Sequence, residues 1–400
     1  MGITRLSLLG ALITTGVSAN AVLPMVAQEE LTTILHSSNI YQAFLNSVTL
    51  ISLPFLIGSL ALLNNRRNQQ IAQYGFALLA IFNLVLYLTH LQWYPLLIRS
   101  LIGIVFGLTI PIGQFSLAAS GLKEKERVIQ FTMMLNLVAA GLTIVPFIGI
   151  GILSLYGGDA SLLFLFLSIF SLLLSFLSWL WIPSRERITC PRINNLFMPK
   201  HNLLIAIGDA SVIIFTRSAY AFVLVWLSAL IENYHNLQII TLCFTLPFVV
   251  WGFIAIPIIR HMGPFASFNL FLIFPFLILC ISIGAGQASW LSFALILIAL
   301  LSVPEAFTPG QLISQWSSPS GRQFGNIISM ALMTICLAVG PAMYQLIEGL
   351  STTLPFTDFN YAFNKSFWLA IILLPLSFLI LMRFWRFYLI PSLRKSADKL

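Results

Sequence analysis

Leu53-Pro54-Phe55, followed by Gly58 and Arg66, recurs as Leu246-Pro247-Phe248, followed by Gly252 and Arg260, at an offset of 193 or 194 residues. Pro146 and Pro341 stand 195 residues apart. One such tripeptide means little in a chain this apolar, but three landmarks at one spacing indicate a duplicated unit. The landmarks sit in long, continuous apolar runs, so the duplicated unit is a set of membrane-spanning helices. A spanning helix needs ~20 apolar residues. Twelve segments qualify: 6–27, 40–63, 71–91, 94–118, 129–155, 161–183, 202–230, 237–259, 265–286, 289–314, 325–348 and 364–388. Each landmark pair lays one span over the span six further on. The expected fold is therefore an all-α membrane protein with twelve transmembrane helices in two pseudo-symmetric six-helix bundles, residues 1–183 and 202–400. The longest connection, 184–201, is the expected linker and holds Arg185, Arg187, Arg192 and Lys200.

Composition agrees. Of 400 residues, 59% are hydrophobic and 8% charged, against about 25% charged in a soluble globular chain. So few charges cannot cover the surface of a water-soluble enzyme, and a disordered chain needs the opposite composition. Continuous apolar runs also argue against an outer-membrane barrel, whose strands alternate. Four cysteines, Cys190, Cys243, Cys280 and Cys336, form no CxxC pattern or Cys/His cluster, so neither a disulfide framework nor a metal site is expected.

The net charge of +8 is a matter of topology and does not imply nucleic-acid binding. If the N-terminus is cytoplasmic, 17 of the 20 Lys and Arg fall on the inner side, Lys365 falls outside, and Arg99 and Arg217 lie within spans. Such an asymmetry is what the positive-inside rule demands. It predicts both termini in the cytoplasm, and the compact loops suggest a bacterial inner membrane. Arg5, an apolar stretch and Ala19-Asn20-Ala21 also fit the outline of a signal peptide. The apolar run continues through Leu23-Pro24-Met25-Val26, so the segment is read as span one.

With the spans placed, the residues resemble the major facilitator superfamily over essentially the whole chain. The family's loop after span two is similar to Gly58-Ser59-Leu60-Ala61-Leu62-Leu63-Asn64-Asn65-Arg66-Arg67, which keeps the glycine, Leu-Ala and two arginines. Its acidic residue is replaced by Leu62, which puts the family's charge lock between halves in doubt. Arg99-Ser100-Leu101-Ile102-Gly103 matches the R-x-x-x-G of span four. Gly141, Pro146 and Gly149 keep part of the span-five pattern of proton-driven exporters. Ala21-Val22-Leu23-Pro24, at the end of span one, looks like the drug-exporter branch. The resemblance implies two halves rocking about a central site lined by spans one, four, seven and ten, with no cofactor.

An ionisable side chain at a helix centre costs ~2.5–3.5 kcal/mol on insertion scales, so each one calls for a function. Arg99, Asp209, Arg217 and Glu305 all lie on spans four, seven or ten. Arg217 stands ~20 Å from either end of span seven, too deep to snorkel. It is expected to bind substrate, or else to form a fixed pair with Glu305 or Asp209. Glu305, in Pro304-Glu305-Ala306-Phe307-Thr308-Pro309-Gly310, is the expected proton carrier, because prolines there weaken the helix and free carbonyls. Asp209 is a second candidate for coupling. Arg99, only ~8 Å from the outer end of span four, either lines the cavity or snorkels outward. Asn20, Gln114, Tyr220 and Gln311 are polar candidates for substrate contact or for bonds between helices. Arg260 ends the repeated motif in the second half.

No phosphate-binding loop, nucleophile elbow or metalloprotease signature is present. The expectation is a monomeric secondary transporter whose partners are the bilayer, protons and a small organic solute. Two arginines against two carboxylates suggest an anionic or zwitterionic solute, and the span-five pattern favours proton-coupled export over uptake. The alternatives are a non-transporting receptor or assembly partner with this fold, motivated by the degenerate loop, and an intramembrane enzyme.

Overall fold

The computed structural model describes residues 4–36, 38–91, 94–156, 158–182, 186–191, 202–203, 206–210, 213–214, 256–258, 260–261 and 308–353. The helices are α1 Arg5–Val22, α2 Gln28–Ile34, α3 Ser38–Leu62, α4 Asn68–Leu88, α5 Pro95–Thr109, α6 Ile112–Ala119, α7 Glu124–Leu155, α8 Ser161–Trp181 and α9 Pro319–Thr353. A further helical stretch, 308–314, precedes α9. The first six expected spans and the eleventh fall on these helices. Most of the other five lie outside the described residues.

The chain is an integral, multi-pass membrane protein. Among the described residues, Arg5–Val22, Ala43–Leu62, Asn68–Leu88, Pro95–Ala119 and Ser161–Trp181 are long and apolar enough to cross a membrane. Outward-facing leucines and isoleucines such as Leu50, Ile57, Leu172 and Leu173 are exposed, as a lipid-facing surface requires. Span four is broken. Pro111 lacks an N–H and its ring clashes with the preceding turn, so α5 ends at Thr109 and α6 begins at Ile112.

The expected span one forms α1, most of which is buried among the first eight helices. It packs against α6, α7 and α8. Its contact with α6 and α7 depends on glycine. A Cβ on Gly10 would lie 2.5 Å from the Gly113 carbonyl oxygen and 2.7 Å from Met134 Sδ. A Cβ on Gly103 would lie 3.0 Å from the Val48 carbonyl oxygen, so the R-x-x-x-G glycine sets the spacing of α5 on α3. Gly58 shows no such need, since only Leu62 comes near it.

One end of the bundle carries the basic loops, and polar contacts close it. The Gln130 side-chain oxygen accepts bonds from the Thr4 N–H (3.2 Å), the Thr4 hydroxyl (2.9 Å) and the Ser7 hydroxyl (2.6 Å), tying α1 to α7. Residues 186–191 of the expected linker run beside the loop after α3. Asn65 N donates to the Ile188 carbonyl (2.7 Å), Ile188 N to Arg66 (2.9 Å) and Asn68 N to Glu186 (3.1 Å). Cys190 N donates to Asn64 Oδ1 (2.9 Å), and Ser116 Oγ donates to the Glu186 carboxylate. This part of the linker is therefore bound to the first bundle.

Residues of the second half also join the first bundle's core. Ile313 packs with Ala11, Leu117, Phe131 and Met134. Ile327, Met330 and Ala331 of α9 pack into the cluster that includes Val48 and Leu56 of α3. At Gly10 a larger side chain has no room, so Gly10→Val is expected to destabilise the protein by about 1–3 kcal/mol. Gly121→Ala, whose Cβ meets nothing within 4 Å, is expected to stay within about 0.5 kcal/mol of the parent. Reversible unfolding in detergent distinguishes them.

Candidate functional site

The R-x-x-x-G arginine lies in a fully buried polar cluster where α1, α3, α4 and α5 meet. Arg99 has 0% of its surface exposed, so it does not snorkel outward. Its Nη1 donates to the Asn20 carbonyl at 2.7 Å and its Nε to the Phe44 carbonyl at 3.4 Å. The guanidinium also lies 4.8 Å from the centre of the Phe44 ring, a cation–π contact. Asn20 is two residues from the end of α1, where carbonyls lack helical partners. That explains why its oxygen is available. Arg99 Nη2 has no hydrogen-bond partner.

Asn20 is held from both sides. Its amide donates to Gly16 (3.0 Å), and its side-chain oxygen accepts from Asn83 Nδ2 at 2.7 Å. Asn83 also donates to Leu79 of its own helix (2.8 Å). Asn83 escaped the sequence reading because a lone amide in an apolar span carries no motif.

Gln114 on α6 and Gln311 in the 308–314 helix are buried, and Gln311 Oε1 has no hydrogen-bond partner. Asp209 is fully buried. Arg217, Tyr220 and Glu305 of the expected centre lie outside the described residues. Arg66, Arg67 and Arg260 are exposed. Arg67 precedes α4 and pairs with Arg187 of the linker. Gly141 of α7 faces Thr15, and α7 runs through Pro146.

A second arginine site lies at the basic end, just outside the spans. Arg127 and Arg322 are 6% and 7% exposed. Arg322 donates from Nε to the Ala118 carbonyl (2.8 Å), from Nη2 to Ser120 (3.1 Å) and from Nη1 to Ser317 (2.7 Å). Arg127 donates to the Leu122 carbonyl, to Ser120 (3.5 Å) and to Ser314 Oγ (3.3 Å). Burial, then the neighbouring Arg322 charge, lowers the Arg127 pKa to about 10, with Glu124 opposing. Burial likewise lowers Arg322. Arg127 therefore remains charged at neutral pH. Both had counted in the sequence only as inner charges, although they stand 195 residues apart, like Pro146 and Pro341.

No family model and no curated protein matches the sequence. The fold, in contrast, is that of major facilitator superfamily transporters. The chain is similar to the human organic anion transporter MFSD10 (TETRAN), at 14% identity and TM-score 0.70, over 94% of this chain and 98% of that one. It is similar to a bacterial homologue of the iron transporter ferroportin in an outward-facing state, at 14% identity and TM-score 0.64, over 96% and 99%. The proton:xylose symporter XylE matches at 13% identity and TM-score 0.68, over 96% and 95%.

The Asn83–Asn20 bond gives a direct test of the buried cluster. Asn83→Ala leaves Asn20 Oδ1 without its donor in a buried site. It is expected to cost about 1–3 kcal/mol, read from unfolding in detergent, whereas Gln70→Ala, at an exposed position of the same helix, stays near the parent.

Proposed function

We propose that the chain is a secondary active transporter, and not an enzyme, that moves a small anionic or zwitterionic organic solute by alternating access. The observation that carries this reading is a carrier fold over nearly the whole chain, sealed at one end by contacts between its halves. A rocking carrier in one of its two states has that form. Its basic end is the cytoplasmic one, by the charge asymmetry, so the sealed gate is the inner one.

The solute class rests on Arg99 and Arg217, since guanidinium recognises carboxylate and phosphate through a planar fork. That one similar fold belongs to an organic anion transporter agrees with it. Arg217, with Asn20, Gln114, Tyr220 and Gln311, contacts the solute. Glu305, with Asp209 as second carboxylate, carries the proton. Export by antiport is favoured by the partial span-five motif, in a monomer of the bacterial inner membrane with both termini inside.

Proteoliposomes loaded with a pH-sensitive dye test this reading against a panel of organic anions. Solute-dependent proton movement is expected in the parent. Glu305→Gln is expected to abolish movement driven by a pH gradient while keeping solute exchange. Arg217→Ala is expected to lose both. A Glu305→Gln protein that still couples solute to protons removes Glu305 from the mechanism.

A further inference from the structure

The family's loop lock uses an acid, and here that position is Leu62, a side chain 60% exposed at the end of α3. The loop after α3 is instead occupied by the linker backbone. Yet described residues of the two halves are bonded to each other at the basic end, through Arg127 and Arg322. Arg127 and Arg322 stand 195 residues apart, and the loop carbonyls they each reach, Leu122 and Ser317, stand 195 apart as well. Each arginine therefore makes the same local contact in its own half. Each also reaches across: Arg322 to Ala118 and Ser120, Arg127 to Ser314.

The acceptors define the chemistry. Ala118 and Ser120 lie at the C-terminal end of α6, where carbonyls lack helical partners and carry the negative end of the helix dipole. A guanidinium there makes several charge-assisted bonds at once. We infer that Arg127 and Arg322 are a pseudo-symmetric pair that locks the inner gate, with Arg322 on the terminal carbonyls of α6 as its principal bond. The lock needs no carboxylate. When the halves part, each arginine keeps its own loop carbonyl and regains water, and the carbonyls of α6 are hydrated as neutral groups. An acid-based lock would instead strip a charged partner from each side on opening. The inference rests on the alternating-access reading, but it concerns the gate alone and requires no knowledge of the solute.

The test is a distance measurement on the full chain in nanodiscs. Cys190, Cys243, Cys280 and Cys336 are replaced by Ser, and spin labels are placed at Lys125→Cys and Ser317→Cys, one in each half beside the gate. The parent is expected to give mainly one short distance by double electron–electron resonance. Arg322→Ala is expected to raise the ratio of long to short distances roughly tenfold, the factor that about 1.4 kcal/mol makes. Arg322→Lys keeps the charge but not the fork, and is expected to fall between. Arg127→Ala is expected to shift the ratio in the same direction by less. An Arg322→Ala protein that elutes as a single species with the parent's distances overturns the lock. Should that variant fail to fold, Arg322→Lys decides, and parent-like distances there overturn it equally. Solute transport in parent proteoliposomes is scored separately, so a failed lock and a failed carrier reading give different results.

Discussion

Carbonyl groups at helix ends have no partner within the helix, and where they are buried they have no water either. This constraint organises what the structure shows of its charged interior. Arg99, Arg127 and Arg322 are all buried, and among the described residues their hydrogen bonds go to backbone carbonyls and one serine hydroxyl. At Asn20, Ala118 and Ser120 the helix end and the cation solve each other's problem. The carbonyl gains a donor, and the guanidinium gains a negative environment. Pro111 adds to the supply by breaking span four into α5 and α6.

Two consequences follow for a rocking mechanism. The cluster around Arg99 is internal to the first half: α1, α3, α4 and α5 all contribute to it. It can move as part of that half without breaking a bond. The cluster at Arg127 and Arg322 spans the two halves and must break when the basic end opens. In the proposed alternating-access reading one set of polar contacts travels and one yields, and both sets are arginine-to-carbonyl bonds.

The helices of the first half were legible because each span is a continuous apolar run bounded by charges or prolines. The expected edges for α4 and α8, 71–91 and 161–183, meet the observed Asn68–Leu88 and Ser161–Trp181 closely. The break at Pro111 was less visible, since hydropathy runs straight through it. Arg99 was found by its motif, but its partners are carbonyls, which leave no mark in a sequence. Asn83 was missed for the same reason: its importance lies in the neighbour it holds. Arg127 and Arg322 were visible as charges and hidden as a pair, although the spacing of the repeat landmarks contains them. The pairing of residues 186–191 with the loop after α3 is a backbone contact, and no side-chain pattern announces it.

The two arginines of the proposed gate share the repeat spacing of 195 residues but are not equal in their bonds. Arg322 meets two carbonyls across the interface, at the free end of a helix. Arg127 meets Ser314 Oγ, a hydroxyl that already donates to the Gly310 carbonyl at 2.9 Å. Its other cross-gate neighbour is Arg322 itself, a like charge that lowers its pKa. The pair is thus symmetric in position and asymmetric in strength. That suits a gate better than two strong bonds would. Two states must lie within a few kcal/mol of each other for a ligand to shift the balance between them. One strong cross-contact and one weak, partly opposed contact keep the closed end favoured without making it permanent.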